Sequence, residues 1–331
     1  MAMLMAGTAA GCAGAVALVR LDEPDADSTA GKITWFGPAA AGTHPARWRA
    51  GVGPPLLQPP TLGVPAVADA ITFVSWNTHV GGADIVGLVN SLPNPRGPVV
   101  LLLQEVFRTG AGVPGQVDRA TAFARHIGGT HDGRDAREIK AVADTLGFSV
   151  FYVPSMRNGG TRRSPEDRGN AILSNLPLVN PFAAELPFEH QRRVAVGAML
   201  SGVSSAGIAW QVRFVSAHLL STGGVKHAWI VTELHRARQA RALTSLLDDN
   251  LPTVLAGDFN TWFGFADRTY IETSRAFPDT RVTDRRPTFH GIARLDHVFW
   301  RLPDGWHADF RRASSRFGSD HTPLVGTLRL T

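Results

Sequence analysis

Pro252-Thr253-Val254-Leu255-Ala256-Gly257-Asp258-Phe259-Asn260 reads as a short buried strand running into a glycine-led turn that carries a carboxylate and an amide. An apolar run this short, bounded by Pro and Gly, fits a strand better than a helix. A strand delivers its last side chains to one edge of its sheet, and the pattern recurs along the chain. Ile71 to Ser75 leads to Trp76-Asn77, and Val99 to Leu103 leads to Gln104-Glu105. Trp210, Val212 and Phe214 alternate with Gln211 and Arg213 and lead through Ala217 to His218-Leu219. Leu295-Asp296-His297 and Ser319-Asp320-His321 are polar clusters of the same kind. Carboxylates, amides and imidazoles repeated at strand ends can converge on one pocket, which would suit a hard metal ion and a phosphate.

Between these clusters strand and helix patterns alternate. Phe148 to Val153, Ala171 to Ser174, Leu295 to Trp300 and Leu324 to Leu330 read as further strands. Arg137 to Leu146 carries Ile139, Val142, Ala143 and Leu146 at helical spacing and is closed by Gly147, the residue suited to a left-handed helix cap. Lys226 to Leu247 is the longest helical pattern, with Ile230, Leu234, Ala237, Leu243 and Leu247 largely on one side. Mixed strand-helix and strand-strand connections predict two mixed sheets packed face to face with helices outside.

Composition narrows the chemistry. The chain has 331 residues, 44% of them hydrophobic, a formal charge of +5 and a single cysteine, Cys12. One cysteine excludes an intrachain disulfide and a cysteine-rich zinc site. Oxygen donors favour Mg²⁺, or Mn²⁺, over zinc. Positive charge resides almost wholly in arginine, since Lys32, Lys140 and Lys226 are the lysines, and arginine binds phosphate bidentately.

Residues 1–20 are apolar, rich in Ala and Gly, and uncharged before Arg20. They read as a signal or lipoprotein-type leader, with Ala9-Ala10-Gly11-Cys12 as an acylation site and export or membrane anchoring favoured over a cytoplasmic location. Residues 21–70 are rich in Pro, Gly and Ala and read as a linker. The catalytic unit is expected at 71–331, as a monomer.

The clusters, in order, resemble the endonuclease/exonuclease/phosphatase family. The matching segments are Val74-Ser75-Trp76-Asn77, Leu103-Gln104-Glu105-Val106, Arg168-Gly169-Asn170-Ala171-Ile172-Leu173-Ser174, Ala217-His218-Leu219, Gly257-Asp258-Phe259-Asn260, Leu295-Asp296-His297-Val298 and Ser319-Asp320-His321. The resemblance implies an α/β fold, a four-layer α/β/β/α sandwich like that of deoxyribonuclease I, with the site at one end of the paired sheets. It assigns Glu105, with Asn77 and Asp320, to Mg²⁺. It assigns Asp258 to the attacking water or the leaving oxygen, and Asn260 and His218 to phosphate oxygens. Asp296 and His321 become a carboxylate-imidazole pair, while His297, one residue on along an alternating strand, faces away and is structural. Two departures stand out. Abasic-site enzymes carry a tyrosine after the middle strand, whereas Tyr152 falls within it, and Ser216-Ala217 replaces a common Asn-Thr.

The expected activity is Mg²⁺-dependent phosphodiester hydrolysis. Nucleic acid is the favoured substrate, with Arg157, Arg162, Arg163 and Arg168 available to grip a backbone and Trp262 and Phe289 to stack. A phospholipid or sphingomyelin phosphodiesterase is the alternative. A noncatalytic binding protein on the same fold would have no need for the metal ligand and the Asp-His pair together.

Overall fold

The computed structural model describes residues 16–21, 33–39, 49–62, 67–110, 112–115, 137–157, 165–189, 191–221 and 229–330. Cys12, Arg162 and Arg163 lie outside the described residues. Among the described residues no helix is long and apolar enough to cross a membrane.

Val99–Thr109 forms the strand that explains the layering. Its near-continuous apolar run alternates between two buried environments, as expected of a strand covered on both faces. Val100 and Leu102 face a core between two sheets, while Val99, Leu101 and Leu103 face a core beneath helices. In chain order the strands are β1 (Leu18–Arg20), β2 (Thr34–Pro38), β3 (Leu56–Gln58), β4 (Ala70–Asn77), β5 (Val99–Thr109), β6 (Ser149–Arg157) and β7 (Glu166–Ser174). They continue as β8 (Val179–Glu185), β9 (Val194–Val203), β10 (Ala209–His218), β11 (Thr253–Asp258), β12 (Asp296–Arg301), β13 (His307–Arg312) and β14 (Leu324–Arg329). One seven-stranded sheet has the order β1-β2-β8-β9-β10-β11-β12, and the other β13-β14-β4-β5-β7-β6-β3.

Four helices of the described residues complete the outer layers: α1 (Ile85–Asn90), α2 (Ile139–Leu146), α3 (Trp229–Leu246) and α4 (Arg268–Ala276). The second sheet packs Val74, Leu101 and Leu173 against Ile85, Leu88 and Ile139 of α1 and α2. The first packs Val215, Leu255 and Phe299 against Ala240 and Leu243 of α3. Between the sheets, Phe73, Val100, Phe151 and Ile172 meet Val196, Val212, Phe214 and Val254. The expected four-layer sandwich of two mixed sheets is the observed fold.

Several elements differ from their expected outlines. Helix α2 ends on Gly147 at φ 68° as expected, and the Glu138 side chain caps its start by accepting from the Ala141 amide. On α3, Ala237, Leu243 and the following Leu247 are buried, but Leu234 is 48% exposed. The side chain of Ile230 lies outside the described residues. The segment 21–70, read as a linker, supplies β2 and β3: Thr34 to Phe36 run parallel to Phe182 to Ala184, and Leu56 to Gln58 pair with Tyr152 to Val150. Leu18 to Arg20, at the end of the expected leader, pair with β2. Pro-rich segments can serve as sheet edges, where missing donors cost little, and the folded unit extends well before Ile71.

Candidate active site

Strand register places the polar clusters in two facing rows. In the first sheet His218 is level with Asp258 across the parallel β10–β11 pair, and Asp258 is level with Asp296 across β11–β12. In the second sheet Asn77 is level with Gln104 across the parallel β4–β5 pair. Side chains join the two rows. Asn77 Nδ2 donates to Asp258 Oδ2 at 3.0 Å. Gln104 Nε2 donates to Ser216 Oγ at 2.9 Å, and that hydroxyl donates to Leu103 O at 3.0 Å. Ser216, where the sequence departs from the family pattern, is thus a buried tie between the sheets.

Local backbone aims the key groups. Glu105 has φ 52°, and the β5–β7 register slips between Leu103 and Val106. A bulge re-aims a side chain, and a left-handed non-glycine residue is a strain that the surroundings must hold. Gln104 consequently points into the inter-sheet core with no exposure, while Glu105 reaches the pocket, 21% exposed. At Gly257 an added Cβ would lie 1.8 Å from Ala217 O, so only glycine lets β11 approach β10 just before Asp258. Asn260, at φ 51°, donates its side-chain amide to Leu219 O at 3.1 Å, and its backbone N–H donates to Asp258 Oδ1 at 2.9 Å.

His321 Nδ1 lies 2.7 Å from Asp296 Oδ2, and its Nε2 lies 3.8 Å from Asp258 Oδ2. The turn carrying it is fixed by Trp76 Nε1 donating to His321 O at 3.0 Å and by Ser319 Oγ donating to Asn77 O at 2.7 Å. Burial alone would lower the His321 pKa, but Asp296, Asp258 and Asp320 outweigh it and raise it to about 10. Burial pushes the Asp258 carboxyl up to about 7, with Asp296 adding to the rise and His321 and Asn77 opposing it. One buried group is thus held as a cation and its neighbour near neutrality, a division suited to acid and base roles.

His218 sits on the other side of Asp258, with Nε2 3.5 Å from Asp258 Oδ2 and 4.0 Å from Glu105 Oε1. Burial first and then Arg193 hold its pKa well below the usual histidine value. Arg168 Nη1 lies 3.3 Å from Glu105 Oε2. His297 faces the opposite side of β12, as expected. Its Nε2 lies 2.7 Å from Thr261 Oγ1, which donates to Arg294 O, and Phe259, Phe265 and Tyr270 surround its ring.

The metal-donor question has two parts. Asp258, Asp296 and His321 offer atoms within 4.8 Å of one another, yet His321 Nδ1 and Asp296 Oδ2 are already engaged with each other. That contact commits two of the trio's atoms to each other. Glu105, Asn77 and Asp320 offer oxygen donors around it, a set suited to a hard divalent cation. Asn77 Oδ1 also accepts from the His79 amide at 3.0 Å, and Asp320 Oδ1 lies 3.6 Å from His79 Nδ1.

Among the other expected contacts, Phe289 stands 4.9 Å, centroid to centroid, from His321 and 5.8 Å from Trp262, so both aromatic rings are at the rim. Arg157 does not face solvent. It is buried at the end of β6 and donates to Gly51 O and Pro114 O. Arg193 was not anticipated. A pair of arginines ahead of a strand does not show in sequence which of the two faces a pocket, and only the fold places the charge of Arg193 beside Glu105 and Asp258.

Comparison with known proteins agrees with this fold. The profile of the endonuclease/exonuclease/phosphatase family matches residues 74–321. A UPF0294 protein of Vibrio cholerae is 33% identical over 103 residues, covering 30% of this chain and 35% of the relative. The chain therefore matches about a third of that relative's length. An endonuclease/exonuclease/phosphatase from Beutenbergia cavernae has a TM-score of 0.53 at 22% identity, over 79% of this chain and 72% of that one. The human Nocturnin catalytic domain with bound sulfate has a TM-score of 0.51 at 17% identity, over 80% and 96% respectively. These two likenesses are of fold. The profile match, which spans the six site-bearing segments from β4 to His321, carries the assignment: the chain belongs to the endonuclease/exonuclease/phosphatase family.

Proposed function

We propose that the protein is a divalent-metal-dependent phosphodiesterase acting on nucleic acid. The observation that carries this reading is the buried Asp296–His321 pair turned toward Asp258, with Glu105 held across the pocket on a strained bulge. A binding module has no use for such an arrangement.

In this reading Asp258 takes the proton from the attacking water, and His321, held cationic by Asp296, gives a proton to the leaving oxygen. The 3.8 Å between Asp258 Oδ2 and His321 Nε2 is short enough for the proton to return through one water once product leaves. His218 and Asn260 face the nonbridging oxygens, and Asn77 orients Asp258 through its 3.0 Å hydrogen bond. A Mg²⁺ or Mn²⁺ held by Glu105 with Asn77 and Asp320 would offset negative charge on the phosphoryl oxygens and lower the pKa of nearby groups.

Nucleic acid is favoured by exposed arginines on the neighbouring loops: Arg316 reaches the His290 ring that adjoins Phe289, and Arg281, Arg285 and Arg286 are also exposed, although Arg286 is paired with Asp284 and Arg285 lies over Phe265. Arginines that track phosphates, next to a ring able to stack on a base, suit a polynucleotide. One observation supports phospholipid or sphingomyelin as the second reading: Phe263 and Ile292, on the two loops that also carry Trp262 and Phe289, are 46% and 76% exposed.

The test is turnover with and without Mg²⁺ on DNA, RNA, sphingomyelin vesicles and bis(p-nitrophenyl) phosphate. Glu105→Ala and His321→Ala should each lower turnover by about 10²-fold or more while far-ultraviolet circular dichroism stays unchanged. Polynucleotide cleavage that weakens steeply with added salt supports the first reading, and vesicle cleavage lost in Ile292→Asp supports the second. Turnover unchanged in both alanine variants removes the site.

A further inference from the structure

We infer that Arg193 is a phosphate-binding residue of this site, placed to hold a nonbridging oxygen of an anionic substrate across from Glu105. The inference rests on reading the pocket as a phosphoester site and adds a residue to it.

Arg192 and Arg193 are consecutive residues leading into β9, and consecutive side chains on extended backbone point to opposite sides. Arg192 is committed to structure. Its Nη2 donates to Glu185 Oε1 at 2.7 Å and its Nη1 to Pro154 O at 2.9 Å, with side-chain exposures of 2% and 1% for the ion pair. Arg193 is as deeply placed, 4% exposed, but has no carboxylate partner among the described residues. Its Nη2 donates to Gln191 Oε1 at 2.8 Å and to Ser221 Oγ at 3.4 Å, both neutral groups. Its buried Nε has no hydrogen-bond partner, as is also true of Arg192, so the difference between the two lies in what their terminal nitrogens meet.

A buried guanidinium with no carboxylate in direct contact is expensive to keep. Its surroundings show where the missing anion belongs. The pairing of Val196 with Ser216 and the hydrogen bond to Ser221 place Arg193 at the His218 end of β10, where Glu105 and Asp258 act on its charge and where burial first, then Arg193, hold the His218 imidazole neutral. Arg168 is engaged with Glu105 at 3.3 Å. Arg168 and Arg193 are thus two buried cations beside the carboxylates, with His218 kept neutral by burial and the Arg193 charge, and of the two arginines it is Arg193 that hydrogen-bonds only neutral groups. A phosphoryl group supplies negative charge and several acceptor oxygens to a planar fork of N–H donors.

This placement makes opposite demands on the two ligands of the pocket. Arg193 repels a divalent cation at Glu105 and attracts a phosphate. Isothermal titration of the full chain with MnCl₂, and then with inorganic phosphate in the presence of Mn²⁺, separates the two. In Arg193→Gln, phosphate binding should weaken by at least about tenfold, the loss expected for one charge-assisted contact, while Mn²⁺ binding stays the same or tightens. Arg193→Lys should recover part of the phosphate affinity. On bis(p-nitrophenyl) phosphate, KM should rise in Arg193→Gln by more than kcat falls, and the unfolding midpoint should hold. A role confined to structure predicts another pattern: Mn²⁺ affinity, phosphate affinity and unfolding midpoint falling together, which overturns the inference. Unchanged phosphate binding in Arg193→Gln, or none in the wild type, overturns it as well. If the wild type binds phosphate through Arg193 yet hydrolyses no phosphodiester, the inference stands and the hydrolytic reading falls.

Discussion

His297 and His321 both adjoin Asp296, one along the chain and one by a hydrogen bond, and their environments drive them apart. Aromatic rings and Arg294 surround His297, and burial followed by the Arg294 charge depresses its pKa well below the usual value. For a depressed imidazole the unfolded chain holds the extra proton. Its contribution to stability is therefore full above the unfolded pKa of about 6.5 and falls away as the pH drops toward the folded value. His321 is the reverse. Raised to about 10, it contributes fully below the unfolded pKa and loses that contribution as the pH rises through the folded one. His297→Phe fills the aromatic site without a titrating group. Urea unfolding between about pH 8 and 5 should show the acid-side decline reduced by up to about 1.4 kcal/mol per pH unit, the slope for one proton. An acid slope identical to wild type would falsify the depressed state of His297. At this scale the sequence was informative where polarity interrupts an apolar run, as at Glu105 and Asp258. It was silent on Arg193 and misleading on Arg157, since partners of a long side chain depend on what the fold brings within reach.

At the scale of elements, the site depends on two departures from regular strand geometry, the bulge at Glu105 and the close approach at Gly257. The Gly-Asp-x-Asn pattern announced a turn, but the sequence could not show that the glycine is required for contact between neighbouring strands. That requirement comes from Ala217 O, 1.8 Å from where a Cβ would sit. Gly257→Ala must push β11 from β10 and carry Asp258 with it. A destabilisation of about 1–3 kcal/mol, the usual scale of overpacking, should accompany a loss of turnover much larger than the fraction unfolded explains. Both are read from denaturant unfolding and from activity per folded molecule. Full activity per folded molecule would mean that Asp258 tolerates the shift. Strands β4, β10 and β11, which end on polar clusters, were legible, and so was the first half of β5, whose cluster at Gln104-Glu105 marks a bulge beyond which the strand runs on to Thr109. Strands β8 and β9 were not, because Gly197, Asn180 and Pro181 interrupt the alternation, and tertiary pairing rather than local propensity makes them strands.

At the scale of the whole molecule, the segment before Ile71 is part of the fold that supports the site. Asp167 on β7 is buried and accepts from the Gly53 amide at 2.7 Å and from Tyr152 Oη at 2.5 Å. Arg108 lies 3.6 Å from the same carboxylate and donates to Pro54 O, while Arg157 donates to Gly51 O. These residues lie on β5, β6 and β7, the strands beside the Glu105 bulge, so residues 51–54 plug a polar hole in the second sheet. Burial already pushes the Asp167 carboxyl up, against Arg108 and the hydrogen bonds from Tyr152 and Gly53. Taking the plug away removes the Gly53 donor, the Pro54 carbonyl that accepts from Arg108, and the Gly51 carbonyl that shares Arg157 with Pro114. A polypeptide of residues 71–331, the boundary that composition suggested, should therefore unfold at a lower temperature than one of residues 49–331. The deficit should reach several kcal/mol, since each unsatisfied buried polar group costs about 1–3 kcal/mol and β3 leaves with them. Proline and glycine content hid this role because a plug works through backbone amides and carbonyls, which every sequence possesses. Thermal unfolding of the two polypeptides decides the matter: equal midpoints would return residues 49–70 to the status of a linker, whereas a lower midpoint for the shorter one makes them part of the catalytic unit.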